Sequence, residues 1–181
     1  MNTSPYFVTG NPYKAEKLSE YLGIHLEHIK IDLDEIQSTS LHEIVEHKVK
    51  RAYEKTGKPV LVEDVGLEFE ALGKLPWPFI KFFEKEIWHE WLCRLIDGKS
   101  RNAIARCVFG YFDGKVLEFF EGNIEWTIAE SSRWIGWFWW DQIFIPYFTD
   151  KTSAELDKSE YERFYTEEKP FAQIREFLLS L

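Results

Sequence analysis

Two acids at the end of an apolar run are the first residues in this sequence with the means to do chemistry. Residues 59–62 are short, apolar and β-branched, the composition of a buried strand, and Glu63 and Asp64 follow directly. A turn at Gly66 comes next, so the run predicts a strand that delivers carboxylates to the rim of a sheet. That rim is where open α/β sheets bind ligands. Two solvated acids closing an ordinary strand would have the same composition, and the N-terminus is what tips the balance. Residues 5–9 read as a strand, Gly10-Asn11 as a turn, and Pro12 suits the first turn of a helix. Backbone N–H groups at such a helix start, with Lys14 one turn in, favour an anion such as phosphate. The segment lacks the full glycine-rich pattern of a phosphate loop, and a plain strand–turn–helix would carry the same residues.

The elements that must position these groups come from periodicity. Residues 24–33 alternate with period two, which predicts a half-buried strand ending in a second acidic group, Asp32, Asp34 and Glu35. Ser38 or Ser40 can cap a helix over residues 41–56. Its buried stripe is Ile44, Val45, Val49 and Ala52, which leaves Lys48 able to point back to the acidic rim, although a solvated lysine is the commoner case. Residues 65–72 alternate like a second short strand, and Pro76, Pro78 and Lys81 lead into a helical region over residues 79–96. Residues 103–112 and 115–122 flank Asp113-Gly114, a strong hairpin signal, and residues 123–130 prolong the second strand. An aromatic loop with Asp141 inside it spans residues 133–146 and closes on a short strand at 143–145. Residues 151–168 predict helix plus loop. Residues 170–181 form an amphipathic helix on Phe171, Ile174, Phe177 and Leu178. The pattern is α/β, with no repeat or linker.

Bulk composition bounds the partners. A chain of 181 residues predicts one domain, or one domain in two lobes. The formal net charge is −9 and no lysine or arginine run forms a basic stripe, which argues against duplex nucleic acid as a partner. Phosphates in such a chain need local lysines or a metal ion. Cys93 and Cys107 have no metal-ligand spacing and read as reduced, buried thiols of a cytoplasmic protein. No signal peptide and no bilayer-spanning run is evident, so no membrane partner is expected. His25, His28, His42, His47 and His89 show no ligand-like grouping and are assigned to the surface.

Four motifs in this order, VTGNPYK (8–14), IDLDEIQ (31–37), VLVEDVGLEFEALGKLP-PFIKFF (60–83) and F-WDQIFIP (138–146), resemble the inosine triphosphate pyrophosphatase family, the non-canonical purine NTP pyrophosphatases. The resemblance extends to about residue 156. It implies an elongated, two-lobed α/β fold, with a long mixed sheet flanked by helices and a central cleft. The implied activity is Mg²⁺-dependent hydrolysis of ITP, dITP and XTP to the monophosphate and pyrophosphate, by a cytoplasmic homodimer. Carried over position by position, Thr9, Gly10, Asn11 and Lys14 would hold the triphosphate, with Val65 beside it and Lys48 and Lys81 as further cationic partners. Glu35 and Asp64 would face the metal, and Asp64 would also orient or deprotonate the attacking water. Phe138, Trp140 and Asp141 look like the base pocket.

Two departures follow from the same resemblance. The family's E-K-N-x-x-S-H-R pattern has its nearest match in ERFYTEEK (162–169), where Arg163 replaces the lysine, Lys169 the arginine, and Glu168 stands in place of the histidine. Arg163 and Lys169 remain candidate substrate contacts, while base selectivity is put in question. The family has glycine where this chain has Trp77, Trp126, Trp134 and Trp139, and often at Trp88, Trp91 and Trp137. Overpacking costs about 1–3 kcal/mol per site, so seven such exchanges are hard to accommodate. A UGA codon read as tryptophan where the source organism reads glycine would produce the pattern; UGG codons at those positions would exclude it. The alternatives are a related pyrophosphatase with another base preference, or an inactive nucleotide-binding homologue whose cleft is filled by tryptophans.

Overall fold

The computed structural model of the protein describes residues 4–133, 139–167 and 169–181; the side chains of Tyr13, Lys81, Glu84, Trp88, Trp139 and Glu167 lie outside that description. Six strands form one mixed sheet in the order β2-β1-β3-β4-β5-β6. They are β1 (Tyr6–Val8), β2 (His28–Ile29), β3 (Val60–Phe69), β4 (Asn102–Phe112), β5 (Leu117–Ile128) and β6 (Phe144–Pro146). The helices are α1 (Pro12–Leu22), α2 (Leu41–Thr56), α3 (Ile80–Glu86), α4 (Trp88–Arg94), α5 (Lys158–Glu167) and α6 (Phe171–Ser180). β1 pairs in parallel with both β2 and β3, and β5 pairs antiparallel with β6.

The chain divides into two compact units. The first comprises residues 1–65, 107–122 and 169–181, the second residues 66–106 and 123–168. Strands β3, β4 and β5 each contribute residues to both. In the first unit, α1 buries Ala15, Leu18 and Leu22, and α2 buries Leu41, Ile44, Val45, Val49 and Ala52, the stripe expected from its 3.6-residue period. Helix α2 begins on Ser40, whose hydroxyl accepts from the Glu43 N–H, and ends on Gly57 at φ 62°, a left-handed cap that glycine adopts without a Cβ penalty. It lies so close to β4 that a Cβ on Gly110 would stand 2.6 Å from Val45 Cγ1. Helix α6 is tied to α1 by Arg175 Nε donating to the Leu22 carbonyl at 3.1 Å and by Tyr21 stacked on Phe171.

In the second unit, Trp77 is buried with its ring against Gly66, where a Cβ would come within 3.0 Å. Trp126 packs between Phe144 and Phe164, at ring-centroid distances of 5.0 and 4.8 Å.

Two sequence expectations need correction. The strand expected over residues 24–33 is only His28–Ile29. It is the edge strand of the sheet, paired on one side by two residues, and the alternation around it is that of a half-exposed loop. The second strand expected over residues 65–72 does not exist separately. Gly66 makes no turn, β3 runs through it to Phe69, and residues 70–72 form a single 3-10 turn, so Glu63 and Asp64 lie within the strand and do not close it.

Candidate active site where β1 ends beside β3

Register places the phosphate-loop candidate beside the two acids. Val8 pairs with Val62, so Thr9 leaves the sheet at the level of Glu63. The turn is fixed locally: Thr9 Oγ1 accepts from the Asn11 N–H at 3.1 Å, and His28 Nε2 donates to the Thr9 carbonyl at 2.8 Å. Helix α1 starts at Pro12, so Gly10 and Asn11 lie just before a helix N-terminus, the polarity that favours anions. No heavy atom lies within 4 Å of where a Gly10 Cβ would be, which leaves the turn open.

Successive residues of a strand point to opposite faces, and Glu63 and Asp64 accordingly meet different cations. Asp64 Oδ2 accepts from Lys48 Nζ at 3.2 Å, and the same ammonium lies 3.6 Å from Glu35 Oε1. The other Asp64 oxygen accepts from the Val65 N–H at 2.9 Å. Burial disfavours the Lys48 charge, but Asp64 and Glu35 outweigh it, so its pKa is raised above the usual lysine value. Glu63, 4% exposed, turns the other way and binds Lys14 Nζ at 3.2 Å and Lys169 Nζ in a short hydrogen bond. The Cys107 thiol donates to the same carboxylate at 3.3 Å. Burial pushes Glu63 up, but the two ammonium groups win and hold it well below the usual carboxylate range. Cys107 is pushed far up by burial and is no thiolate.

The segment carrying Glu35 has no regular structure, and α2 holds it in place. His47 Nε2 and Arg51 Nε reach Asp34 at 2.8 and 3.3 Å, and Lys55 Nζ donates to the Asp32 carbonyl at 2.6 Å. These three residues recur every fourth position, one face of a helix. The His47 hydrogen bond, then backbone and Arg51 contacts, lower Asp34 to about 2.

Thr9, Gly10, Asn11, Lys14, Glu35, Lys48, Asp64, Val65 and Lys169 therefore belong to one compact unit. Lys81, Trp140, Asp141 and Arg163 belong to the other, and Phe138 and the Lys81 side chain lie outside what is described. Trp140 and Asp141 are adjacent in a 3-10 turn (Trp139–Gln142); Asp141 is buried at 8% exposure, and the Trp140 ring lies 6.0 Å from Phe144. Arg163 is exposed on α5. Lys169 is 5% exposed, with its ammonium on Glu63. Sequence reasoning named Glu63 and Asp34 as acids without their partners, set His28 on the surface, and missed the His47–Arg51–Lys55 stripe. The stripe's four-residue spacing, opposite Asp32 and Asp34, was a usable signal.

The Ham1 family model matches residues 5–177. The chain belongs to the Ham1 family. Relatives include inosine triphosphate pyrophosphatase 1 of Trypanosoma cruzi, 38% identical over 173 residues that cover 93% of this chain and 88% of the relative. The dITP/XTP pyrophosphatase of Thermococcus kodakarensis is 35% identical over 161 residues, covering 87% of each chain. Among solved structures, a HAM1 protein from Coxiella burnetii matches with a TM-score of 0.85 at 22% identity, over 99% of this chain and 100% of that one. The expected mixed α/β fold and family membership are thus both met. Among the described residues no helix is long and apolar enough to cross a membrane.

Proposed function

We propose that this Ham1-family chain hydrolyses the non-canonical purine triphosphates ITP, dITP and XTP to the monophosphate and pyrophosphate, with Mg²⁺. One observation carries the reading: Lys48 lies between Glu35 and Asp64 midway along β3, with the Thr9–Lys14 turn leaving the neighbouring strand at that level. Cations, an open helix N-terminus and paired carboxylates are what a polyphosphate with its metal requires. The names of the relatives from Trypanosoma cruzi and Thermococcus kodakarensis point to the same substrates.

The residues present fit Mg²⁺. Glu35 and Asp64 offer carboxylate oxygens, the hard donors this ion takes, and both already lie within 3.6 Å of one shared cation, the Lys48 ammonium. Among the described residues no cluster of three or more His, Cys, Asp or Glu could hold a metal. Two carboxylates completed by substrate phosphates are an ordinary set for this ion. Bound there, Mg²⁺ supplies charge neutralisation to the phosphates.

The chain's own residues do the rest. The N–H groups of the Gly10–Asn11 turn and Lys14 bind the polyphosphate, and Lys48 and Lys81 offset its charge. Asp64 orients a water in line with the α-phosphorus and accepts its proton. A bond from the water oxygen to phosphorus forms as the bond to the β-phosphate oxygen breaks, and pyrophosphate leaves. Phe138 and Trp140 stack on the base, and Asp141 reads its polar edge. Discrimination follows because adenine would leave buried polar groups unpaired. Arg163 is a further cation of this reading. A cytoplasmic homodimer belongs to it on the family resemblance, and light scattering checks the oligomer.

The test is pyrophosphate release from ITP, XTP, dUTP and GTP. Release confined to ITP and XTP is expected; release from dUTP as well points to another base preference, and none from any nucleotide rejects the reading. Asp64→Asn is expected to lower turnover about 10²- to 10⁴-fold with the fold retained. Unaltered turnover would reject its role.

A further inference from the structure

Lys169 and Lys14 share one carboxylate but not one environment. Glu63 is 4% exposed and Lys169 5%, whereas Lys14 is 32% exposed. Lys169 lies over the Phe109 ring, its ammonium 5.9 Å from the centroid, at the start of the α6 region. Phe109 in turn packs on Phe7 of β1 and Phe171 of α6. Lys169 is thus built into an aromatic floor beneath the sheet end, and Lys14 is the member of the triad that solvent and ligands reach.

The charges of this triad leave a net of one positive charge, and where it resides depends on Lys169. A buried carboxylate with a single cation neutralises that cation. With two cations, one is matched and the other keeps its charge. We propose that Lys169 is a positioning residue, the counter-ion of Glu63 and not a nucleotide contact, and that by satisfying Glu63 it leaves the charge of Lys14 for a phosphate group at the Thr9–Lys14 turn. The inference rests on the phosphate reading of that turn. It reassigns Lys169 from the substrate to the carboxylate beneath it.

The two roles predict opposite results in a charge-balanced double variant. The probe is Mg²⁺-pyrophosphate, its Kd measured by calorimetry on the full chain. Lys169→Met leaves Glu63 to neutralise Lys14. Pyrophosphate affinity is expected to fall about ten-fold, the order of one unit charge acting over about 12 Å at an effective dielectric of about 20. Adding Glu63→Gln removes the acid as well, leaves Lys14 charged, and restores affinity to within about three-fold of the wild type, a coupling that independent sites would not show. If Lys169 contacts phosphate directly, the lost contact keeps the double variant well beyond three-fold weaker than the wild type, and the proposal is overturned. An unaffected Lys169→Met also overturns it.

Should Lys169→Met fail to fold, the comparison moves to Glu63→Gln/Lys169→Met with and without Lys14→Met. Near-wild-type affinity that is lost on adding Lys14→Met supports the proposal, and loss already in the double variant rejects it. A wild-type chain that neither binds pyrophosphate nor hydrolyses ITP removes the functional reading, and this inference with it. An active wild type with additive variants removes the inference alone.

Discussion

Trp126 shows what a single side chain can impose. Its ring is well placed among Phe144 and Phe164, yet Nε1 is buried without an acceptor among the described residues, and Trp77 Nε1 is in the same position. An unmet buried N–H costs about 1–3 kcal/mol. Trp126→Phe keeps an aromatic ring there and removes the donor, so the expected effect on stability runs from neutral to a gain of about 1 kcal/mol. A loss above about 2 kcal/mol in urea unfolding would show that the indole N–H has a partner after all. Both tryptophans stand at positions where the family resemblance leads one to expect glycine, and codons at these sites decide between the two residues. Trp91, a third such position, is 56% exposed beneath Arg94 and strains nothing. Single residues were legible in the sequence where their type left little choice. Lys48 could be aimed at the rim because its neighbours Ile44, Val45, Val49 and Ala52 had to face the core. The role of Glu63 was not legible, because its cations come from residues 14 and 169, and spacing carries no information about either contact.

At the scale of elements, helix α2 carries much of the site. It presents Lys48 to the acids and His47, Arg51 and Lys55 to the segment bearing Glu35, and Gly110 sets how near it approaches β4. Gly110→Ala puts a methyl group 2.6 Å from Val45 Cγ1. The expected cost is about 1–3 kcal/mol in chemical denaturation, with ITP turnover falling as Lys48 shifts from Asp64. An unchanged unfolding midpoint would mean that helix and strand yield without cost. The caps and stripe of α2 stand in the sequence because they are local: Ser40, Gly57 and the 3.6-residue repeat all act within one helix. The extent of β2 and β3 was misread for the opposite reason. Alternation reports which faces differ in polarity, but the length of a strand is set by its ladder partners, which lie elsewhere in the chain.

For the whole molecule, the buried triad predicts a response to acid. The pKa of Glu63 is depressed in the folded state, so its stabilising contribution is complete above its ordinary value of 4.5 and is lost as pH falls through the folded value. Urea midpoints should therefore decline from about pH 4.5 downward, and Glu63→Gln should flatten part of that slope while lowering stability at neutral pH, since breaking a buried pair costs about 3–5 kcal/mol. Parallel acid limbs in the two proteins would contradict the depressed carboxylate. The α/β class and the order of most elements were readable from periodicity. Two lobes were expected from length and the family resemblance, but which segments make up each compact unit was not readable from periodicity, because each is assembled from separate segments of the chain.

Glu63 and Lys169 are 106 residues apart. A ribosome therefore releases the acid long before the base that completes its burial. Until that base arrives, Glu63 has Lys14 for its cation, and the pair they form is neutral. A polypeptide interrupted upstream of residue 169 would thus carry a Lys14 whose charge is spent on the acid beside it. Synthesis that runs through to residue 169 and the release of the Lys14 charge are, in this architecture, the same event.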